Sequence, residues 1–186
     1  MNKLFCYGDS NTYGWDPRDP MGGRYDKSWV DYLQELLGVP CVNAGQPGRR
    51  IPESPAELNV LRRMVTESGT DAMVILLGTN NRFLPPVTSP AETVRKMEKL
   101  LLFLRDSFPD LSLYLPGLPP MTLPGEDSGA WVSEVNRLYA ALAEKYALPY
   151  FDPLPLELPL CFDGIHLTED AHKLLGTALY SFLRKE

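Results

Sequence analysis

The sequence predicts a three-layer α/β/α sandwich with about five parallel strands, formed by residues 1–186 as a single domain. Short apolar runs alternate with longer segments that have helical periodicity, and this alternation favours parallel strands joined by right-handed crossovers. A chain of 186 residues is long enough for roughly one substantial core. Polar motifs follow directly after several predicted strands, as expected where an open parallel sheet carries a site.

The strands are predicted from apolar runs that are bounded by Gly, Pro, Asn or Asp residues. They cover residues 3–7, 40–43, 71–77, 111–115 and 150–151. Helices are predicted between them. Residues 28–37 and 55–68 are followed by Gly38 and Gly69, which are typical helix stops.

Two of the helices begin with the same tetrapeptide, and further helices follow toward the end of the chain. Ser-Pro-Ala-Glu occurs at residues 54–57 and again at 89–92, with serine as N-cap and proline in the first turn. Thr168 is predicted to cap the last helix. Apolar residues recur at helical spacing, which assigns each helix a core-facing side. These residues are Val94, Met97, Leu101, Leu104, Val132, Val135, Tyr139, Leu142, Tyr146, Leu174, Leu175, Ala178, Leu179 and Phe182.

The composition excludes several classes of partner. The formal net charge of −6 disfavours nucleic acid and anionic membranes, which require a basic surface. No apolar run approaches the ~18 residues of a membrane span, and no signal peptide is recognisable, so a cytoplasmic location is expected. Three cysteines without paired spacing indicate reduced thiols rather than disulfides or a zinc site. We expect no metal and no cofactor, and a homo-oligomer is left open.

Four polar segments are predicted to meet at one edge of the sheet. The segments 8–10, 43–45 and 78–81 follow the first three strands, and the loop after the fifth strand carries residues 163–166. The carboxyl ends of parallel strands lie at the same edge, where α/β sheets bind ligands. The proline-rich stretches 116–125 and 153–159 are candidates for the rim, or simply stiff connections.

These segments carry the residue types of a serine hydrolase. His166 is one of only two histidines and can activate the Ser10 hydroxyl as a general base. Asp163, three residues earlier, can orient the imidazole and stabilise its charged form. The predicted oxyanion donors are the main-chain N–H groups of Ser10 and Gly45 and the side-chain amide of Asn80. A role for Ser10 as a helix cap is disfavoured, because no helical pattern begins directly after it.

The sequence resembles the SGNH (GDSL-type) hydrolases. Its Gly8-Asp9-Ser10, Gly45, Gly78-Thr79-Asn80 and Asp163-Gly164-Ile165-His166 segments look like the four signature blocks of that family, in the same order. The resemblance implies a flavodoxin-like sandwich with strand order 2-1-3-4-5 and metal-free ester or thioester hydrolysis. Residues 8–17 are similar to the opening of the arylesterase and acyltransferase branch.

Two residues depart from the family pattern, and neither removes a group that could act chemically. Asn11 stands where the family name places leucine, and Asn81 replaces a frequent aspartate. With Tyr13 and Trp15, they are predicted as substrate contacts, although aromatic residues more often belong to the core. His172 is interpreted as a surface or packing residue, and the Arg49-Arg50 pair as part of a solvated face.

The sequence therefore predicts a serine esterase that acts on a small-molecule ester with a small or short acyl group. A lysophospholipase, an acyl-thioesterase and a carbohydrate acetylesterase would use the same groups. Two other classes stay open: a binding module of this fold without activity, and a metal-dependent hydrolase that uses Asp9, Asp163, His166 and His172. The phosphate-binding and dinucleotide-binding glycine motifs are absent from the sequence.

Overall fold

The computed structural model describes residues 1–19, 21–124 and 127–185 of the chain. Their strands are β1 (Leu4–Gly8), β2 (Cys41–Gly45), β3 (Ala72–Leu76), β4 (Ser112–Pro116) and β5 (Tyr150–Phe151). Within the described residues they form one sheet in the order β2-β1-β3-β4-β5, with parallel pairing throughout. The predicted strand order is confirmed.

The predicted strand boundaries were accurate to within two residues. β1 and β2 extend further than predicted, because Gly8 and Gly45 continue the pairing opposite each other at the ends of their strands. A side chain at Gly8 would collide with the Thr12 side chain and with the Leu76 carbonyl. Glycine is therefore required where the chain turns out of the central strand.

Helices cover both faces of the sheet. They are α1 (Ser10–Tyr13), α2 (Trp29–Leu37), α3 (Pro55–Ser68), α4 (Asn80–Phe83), α5 (Pro90–Ser107), α6 (Ser128–Lys145) and α7 (Glu169–Leu183), and Leu154–Leu156 form a 3₁₀ turn. Serine caps begin α3 and α5 with the predicted capping boxes, and Thr168 caps α7. The one-turn helices α1 and α4 were not predicted, because four residues are too few to show a period.

The two cores lie on opposite sides of the central strands. Successive residues of β1, such as Phe5 and Cys6, enter different cores because successive strand side chains point to opposite faces. One core includes α3, α5 and α6, and the other includes α2 and α7. A Cβ at Gly176 would collide with the Trp29 carbonyl, so this glycine lets α7 approach α2 closely. This packing fixes the start of α7, and with it the preceding loop.

No helix in the described ranges is long and apolar enough to cross a membrane. The two proline-rich stretches lie at the same end of the sheet as the polar segments. Within residues 116–124, Thr122 donates its N–H to the Gly164 carbonyl, so this loop packs against the segment that carries His166. Gly125, the last residue of the predicted stretch, lies outside the described residues.

Candidate active site

Ser10 lies just beyond β1, after Asp9, as the first residue of α1. Asp9 caps this helix by accepting the Asn11 N–H at 2.9 Å. The expectation that no helix begins here was wrong, because the single turn carries no apolar stripe. Ser10 is 7% exposed. Its own N–H belongs to the first turn of a helix, where main-chain donors lack partners inside the helix.

A continuous chain of hydrogen bonds connects Ser10 to a carboxylate. The Ser10 Oγ lies 3.0 Å from His166 Nε2, and His166 Nδ1 lies 2.5 Å from Asp163 Oδ2. The other carboxylate oxygen, Oδ1, accepts the main-chain N–H groups of Ile165 and His166. Asp163 therefore fixes both the imidazole ring and the turn that carries it.

The turn between Asp163 and His166 requires glycine. Gly164 has a φ of 70°, in the left-handed region, and a Cβ there would lie 1.9 Å from the Thr122 carbonyl oxygen. The spacing of three residues between Asp163 and His166 arises from this turn, which precedes α7. The sequence spacing therefore predicted a real contact, although not its tight packing against the loop after β4.

The surroundings favour an ionised Asp163. Burial raises the pKa of this carboxyl, but hydrogen bonds from the His166 ring and from the two main-chain N–H groups outweigh burial and hold the pKa below its ordinary value. Asp9 is in a different situation, because burial raises its pKa to about 6 despite the helix-capping bond. Asp163 is thus suited to orienting a histidine, whereas Asp9 serves the turn at Ser10.

The predicted oxyanion donors differ in the hydrogen bonds that they already make. Asn80 begins α4 and donates from Nδ2 to the Arg49 carbonyl at 3.0 Å, which leaves the second hydrogen of its amide for another acceptor. The Gly45 N–H is already donated to Asn43 Oδ1 at 3.0 Å. A Cβ at Gly45 would collide with the main chain of Thr12 and Tyr13, so this glycine is needed for the packing of β2 against α1.

Arg49 is a site-organising residue that the sequence interpretation assigned wrongly to a solvated face. Its guanidinium donates to the carbonyls of Gly8 and Ala44 and lies over the Tyr7 ring at 4.3 Å. Its own carbonyl receives the Asn80 amide. Arg49 therefore ties together the ends of β1 and β2 and the start of α4. Its position shortly after the second strand was the signal that could have revealed this role.

The predicted substrate contacts separate into two groups. The Trp15 ring lies 6.4 Å from the His166 ring, which places it beside the hydrogen-bonded chain. Tyr13 packs under the Arg24 guanidinium. Asn11 and Asn81 are 3% and 0% exposed, so their prediction as substrate contacts was wrong.

Both buried amides support main-chain segments. Asn11 hydrogen-bonds to the main chain on both sides of His166. Asn81 accepts the Ile51 N–H at 3.1 Å, while its Nδ2 is buried without a hydrogen-bond partner among the described residues. Their side chains are buried, and each amide hydrogen-bonds to main-chain groups of a separate segment.

His172 is fully buried within α7, so the packing alternative holds and the surface alternative does not. Its Nδ1 accepts the Trp29 N–H at 3.3 Å, and burial lowers its pKa to about 4. Among the described residues, no group of three or more His, Cys, Asp or Glu side chains is placed to hold a metal ion. His172 therefore serves the contact between α7 and α2.

A serine, histidine and carboxylate in this geometry can transfer protons in sequence. The carboxylate favours a hydrogen on Nδ1, which leaves Nε2 to accept the serine proton. The resulting alkoxide can attack an electrophilic carbon, and nearby N–H donors can stabilise the negative charge that develops.

The chain is similar to one protein family in sequence and to several solved structures in fold. Residues 6–174 match the sequence model of the GDSL-like lipase/acylhydrolase family. No curated protein matches the sequence. The native M. smegmatis aryl esterase structure is similar with a TM-score of 0.84 at 25% identity, covering 100% of this chain and 99% of that one.

Two other solved structures share the fold. Est24, a carbohydrate acetylesterase from Sinorhizobium meliloti, has a TM-score of 0.85 at 21% identity, with coverage of 100% and 99%. The lipase/acylhydrolase from Enterococcus faecalis has a TM-score of 0.79 at 20% identity, with coverage of 100% and 96%. The near-complete coverage in both directions indicates that the whole described fold is shared.

Proposed function

Because the chain belongs to the GDSL-like lipase/acylhydrolase family, we propose that it is a serine esterase for small or short-chain acyl esters. The observation that carries this proposal is the hydrogen-bonded chain from Ser10 Oγ through the His166 ring to Asp163. Its three members come from segments up to 156 residues apart. A chance contact between surface side chains would not also give the carboxylate two main-chain donors.

In the first half of the reaction, His166 Nε2 takes the proton of Ser10, and Oγ attacks the ester carbonyl carbon. Asp163 stabilises the imidazolium that forms. Collapse of the tetrahedral intermediate breaks the bond to the alcohol oxygen, which receives the proton from Nε2. An acyl-serine remains.

In the second half, His166 takes a proton from water, and the resulting hydroxide attacks the acyl-serine carbonyl. Collapse then releases the carboxylic acid and returns the proton to Ser10 Oγ. An alcohol that replaced water in this step would give acyl transfer instead. Trapping with added alcohols measures that side reaction.

The oxyanion is proposed to receive hydrogen bonds from the Ser10 N–H and the Asn80 amide. Gly45 can join them only if its N–H leaves Asn43 Oδ1. Gly48, in the loop that follows β2, offers another main-chain donor, because its N–H has no hydrogen-bond acceptor within the described ranges. Its φ of 75° is in the left-handed region, which glycine adopts readily.

The solved structures of similar fold suggest where to begin the search for a substrate. Their names include an aryl esterase and a carbohydrate acetylesterase. Phenyl esters of increasing acyl length, acetylated sugars, lysophospholipids and acyl-CoA form a suitable panel, since all present an acyl carbonyl to the nucleophile. We expect short acyl groups on small alcohols to give the highest kcat/KM.

Substitution of Ser10 tests the proposed chemistry. Ser10→Ala should lower ester turnover by about 10⁴–10⁶-fold while the protein stays folded, because the alanine methyl group cannot form the acyl intermediate. Ser181→Ala is a matched control, since Ser181 is exposed on α7 and bonds to the Thr177 carbonyl. It should retain full activity.

Two measurements separate the competing classes. A fluorophosphonate should label wild type on Ser10, and absence of labelling with intact ligand binding would favour a binding module. Activity that is lost on exhaustive EDTA treatment and restored by a metal would favour the metal-dependent hydrolase. Ester turnover that survives Ser10→Ala would overturn the assignment of the nucleophile.

A further inference from the structure

Asn11 directly follows Ser10, but its side chain bonds to the segment that carries His166. Its Nδ2 donates to the Ile165 carbonyl at 3.2 Å, and its Oδ1 accepts the Leu167 N–H at 3.0 Å. These two main-chain groups lie immediately before and after His166. We call residues 165–167 the base segment. The Asn11 amide pairs with the main chain of this segment in the way that a neighbouring strand would.

Three residues, Asp163, Cys161 and Asn11, form hydrogen bonds with the main chain from Ile165 to Leu167. Asp163 accepts the N–H groups of Ile165 and His166, and Cys161 donates its N–H to the His166 carbonyl at 2.7 Å. Asn11 supplies two more bonds, to the Ile165 carbonyl and the Leu167 N–H, and the Cys161 thiol donates to the Leu167 carbonyl at 3.6 Å. Removing Asn11 would leave a buried N–H and a carbonyl without their partners, which the surrounding protein cannot easily replace.

We propose that Asn11 is a positioning residue that sets the distance between the nucleophile and its base. This inference rests on the proposed function, because it concerns the same Ser10 and His166. Only one peptide link separates Ser10 from Asn11, and the Asn11 amide reaches the residues on either side of His166. The short covalent and hydrogen-bonded path joins two segments that are otherwise 156 residues apart.

A leucine at this position has the same branched heavy-atom skeleton as asparagine, with two bulkier methyl groups and no hydrogen-bonding groups. It could fill the space while leaving both main-chain groups unpaired, so the base segment would no longer be tied to the nucleophile. Small displacements of reacting groups have large effects on rate, since a shift of about 1 Å can cost about 10²-fold. The loss should appear in kcat rather than KM, because binding of the ester does not use this buried amide.

The test compares Asn11→Leu with wild type on p-nitrophenyl acetate. We expect a fall in kcat of about 10- to 100-fold, a nearly constant KM and slower labelling of Ser10 by a fluorophosphonate. Asn136→Leu is the matched control. Asn136 is equally buried, at 3% exposure, and its amide also makes two main-chain bonds, in its case to Leu118.

The control separates positioning from general destabilisation. Both leucine variants should lose thermal stability, but Asn136→Leu should keep a kcat much closer to wild type. An unchanged kcat in folded Asn11→Leu would overturn the proposal. Equal losses of kcat in the two variants would also overturn it, because the loss would then follow stability alone.

Asn11→Asp gives a second measurement, which remains informative if Asn11→Leu does not fold. A protonated aspartate has an O–H donor and a C=O acceptor and so can restore both bonds, whereas an ionised one can only accept. Activity of Asn11→Asp relative to wild type should therefore rise as the pH is lowered. A ratio that is constant with pH would contradict the proposal.

Different results would reject the proposed function and the role of Asn11. If a fluorophosphonate does not label Ser10 in wild type, the proposed function itself is wrong. If wild type is labelled and Asn11→Leu is labelled at the same rate, the proposed function stands and only the role of Asn11 is rejected.

Discussion

The two histidines of this chain lie six residues apart and occupy opposite environments. His166 sits in a partly exposed turn, and both of its ring nitrogens face side-chain oxygens, one from Asp163 and one from Ser10. His172 is fully buried one turn into α7, where Nδ1 accepts a main-chain N–H and Nε2 has no hydrogen-bond partner in the described part of the chain. The difference shows that the chemistry of a histidine ring depends on the groups that contact it.

The hydrogen-bond partners also favour opposite tautomers. A carboxylate beside Nδ1 of His166 favours the hydrogen on that nitrogen and leaves Nε2 as an acceptor. The Trp29 N–H beside Nδ1 of His172 requires an acceptor there, which puts the hydrogen of the neutral ring on Nε2. Only the first arrangement can take a proton from a serine hydroxyl.

The largest expected effect comes from replacing each histidine by glutamine. His166→Gln should reduce kcat by about 10⁴–10⁶-fold, because the amide cannot act as a general base. His172→Gln should keep kcat close to wild type and lose stability, since a buried contact between α7 and α2 is altered. Steady-state kinetics and thermal unfolding of both variants test the contrast. Comparable losses of kcat would contradict it.

A smaller effect is expected when the carboxylate that distinguishes the two rings is neutralised. An asparagine at position 163 can donate to Nδ1, which would impose on His166 the tautomer of His172. Asp163→Asn should therefore lower kcat by about 10⁴-fold with a small change in KM. The kcat and KM on p-nitrophenyl acetate measure it. A variant with nearly full activity would show that the ring needs no orienting carboxylate.

The smallest expected effect is on stability as a function of pH. Burial lowers the pKa of His172 to about 4, so on acidification the unfolded state binds a proton before the folded state does. The stability present above the ordinary histidine pKa of about 6.5 should fall by up to about 3 kcal/mol as the pH drops toward 4. His172→Gln should remove this contribution.

Asp9 provides the opposing contribution. Its pKa is raised to about 6 by burial, so the folded state binds a proton first and gains stability as the pH falls through that value. The two effects partly cancel in wild type. Urea unfolding at pH 7 and pH 5 should show a smaller loss on acidification in His172→Gln than in wild type. An equal loss would indicate that His172 does not titrate as its burial implies.

The sequence was informative about elements whose cause is local. Capping boxes at Ser54 and Ser89 identified the starts of α3 and α5, because N-cap chemistry is contained within four residues. The three-residue spacing of Asp163 and His166 likewise predicted their contact. The helix at Ser10 was missed because one turn capped by Asp9 leaves no periodic pattern.

The residues that organise the site were harder to predict from the sequence. Arg49 was interpreted as a surface arginine, yet its guanidinium reaches carbonyls at the ends of two neighbouring strands. Asn11 and Asn81 were predicted to face a substrate but are buried supports of the main chain. Each of these roles depends on a distant backbone group, which local sequence does not specify.

The sequence by itself determined the order of the elements, the edge of the sheet where the polar segments meet and the residue types available for the chemistry. Hydrophobic periodicity, helix caps and turn glycines are local properties, so they can be read without knowing the packing. The sequence also indicated which histidine serves Ser10, but the tertiary structure alone decided the environment of each ring. The Ser10 hydroxyl reaches His166 and the Trp29 N–H reaches His172 from segments far apart in the chain, and burial lowers the pKa of His172.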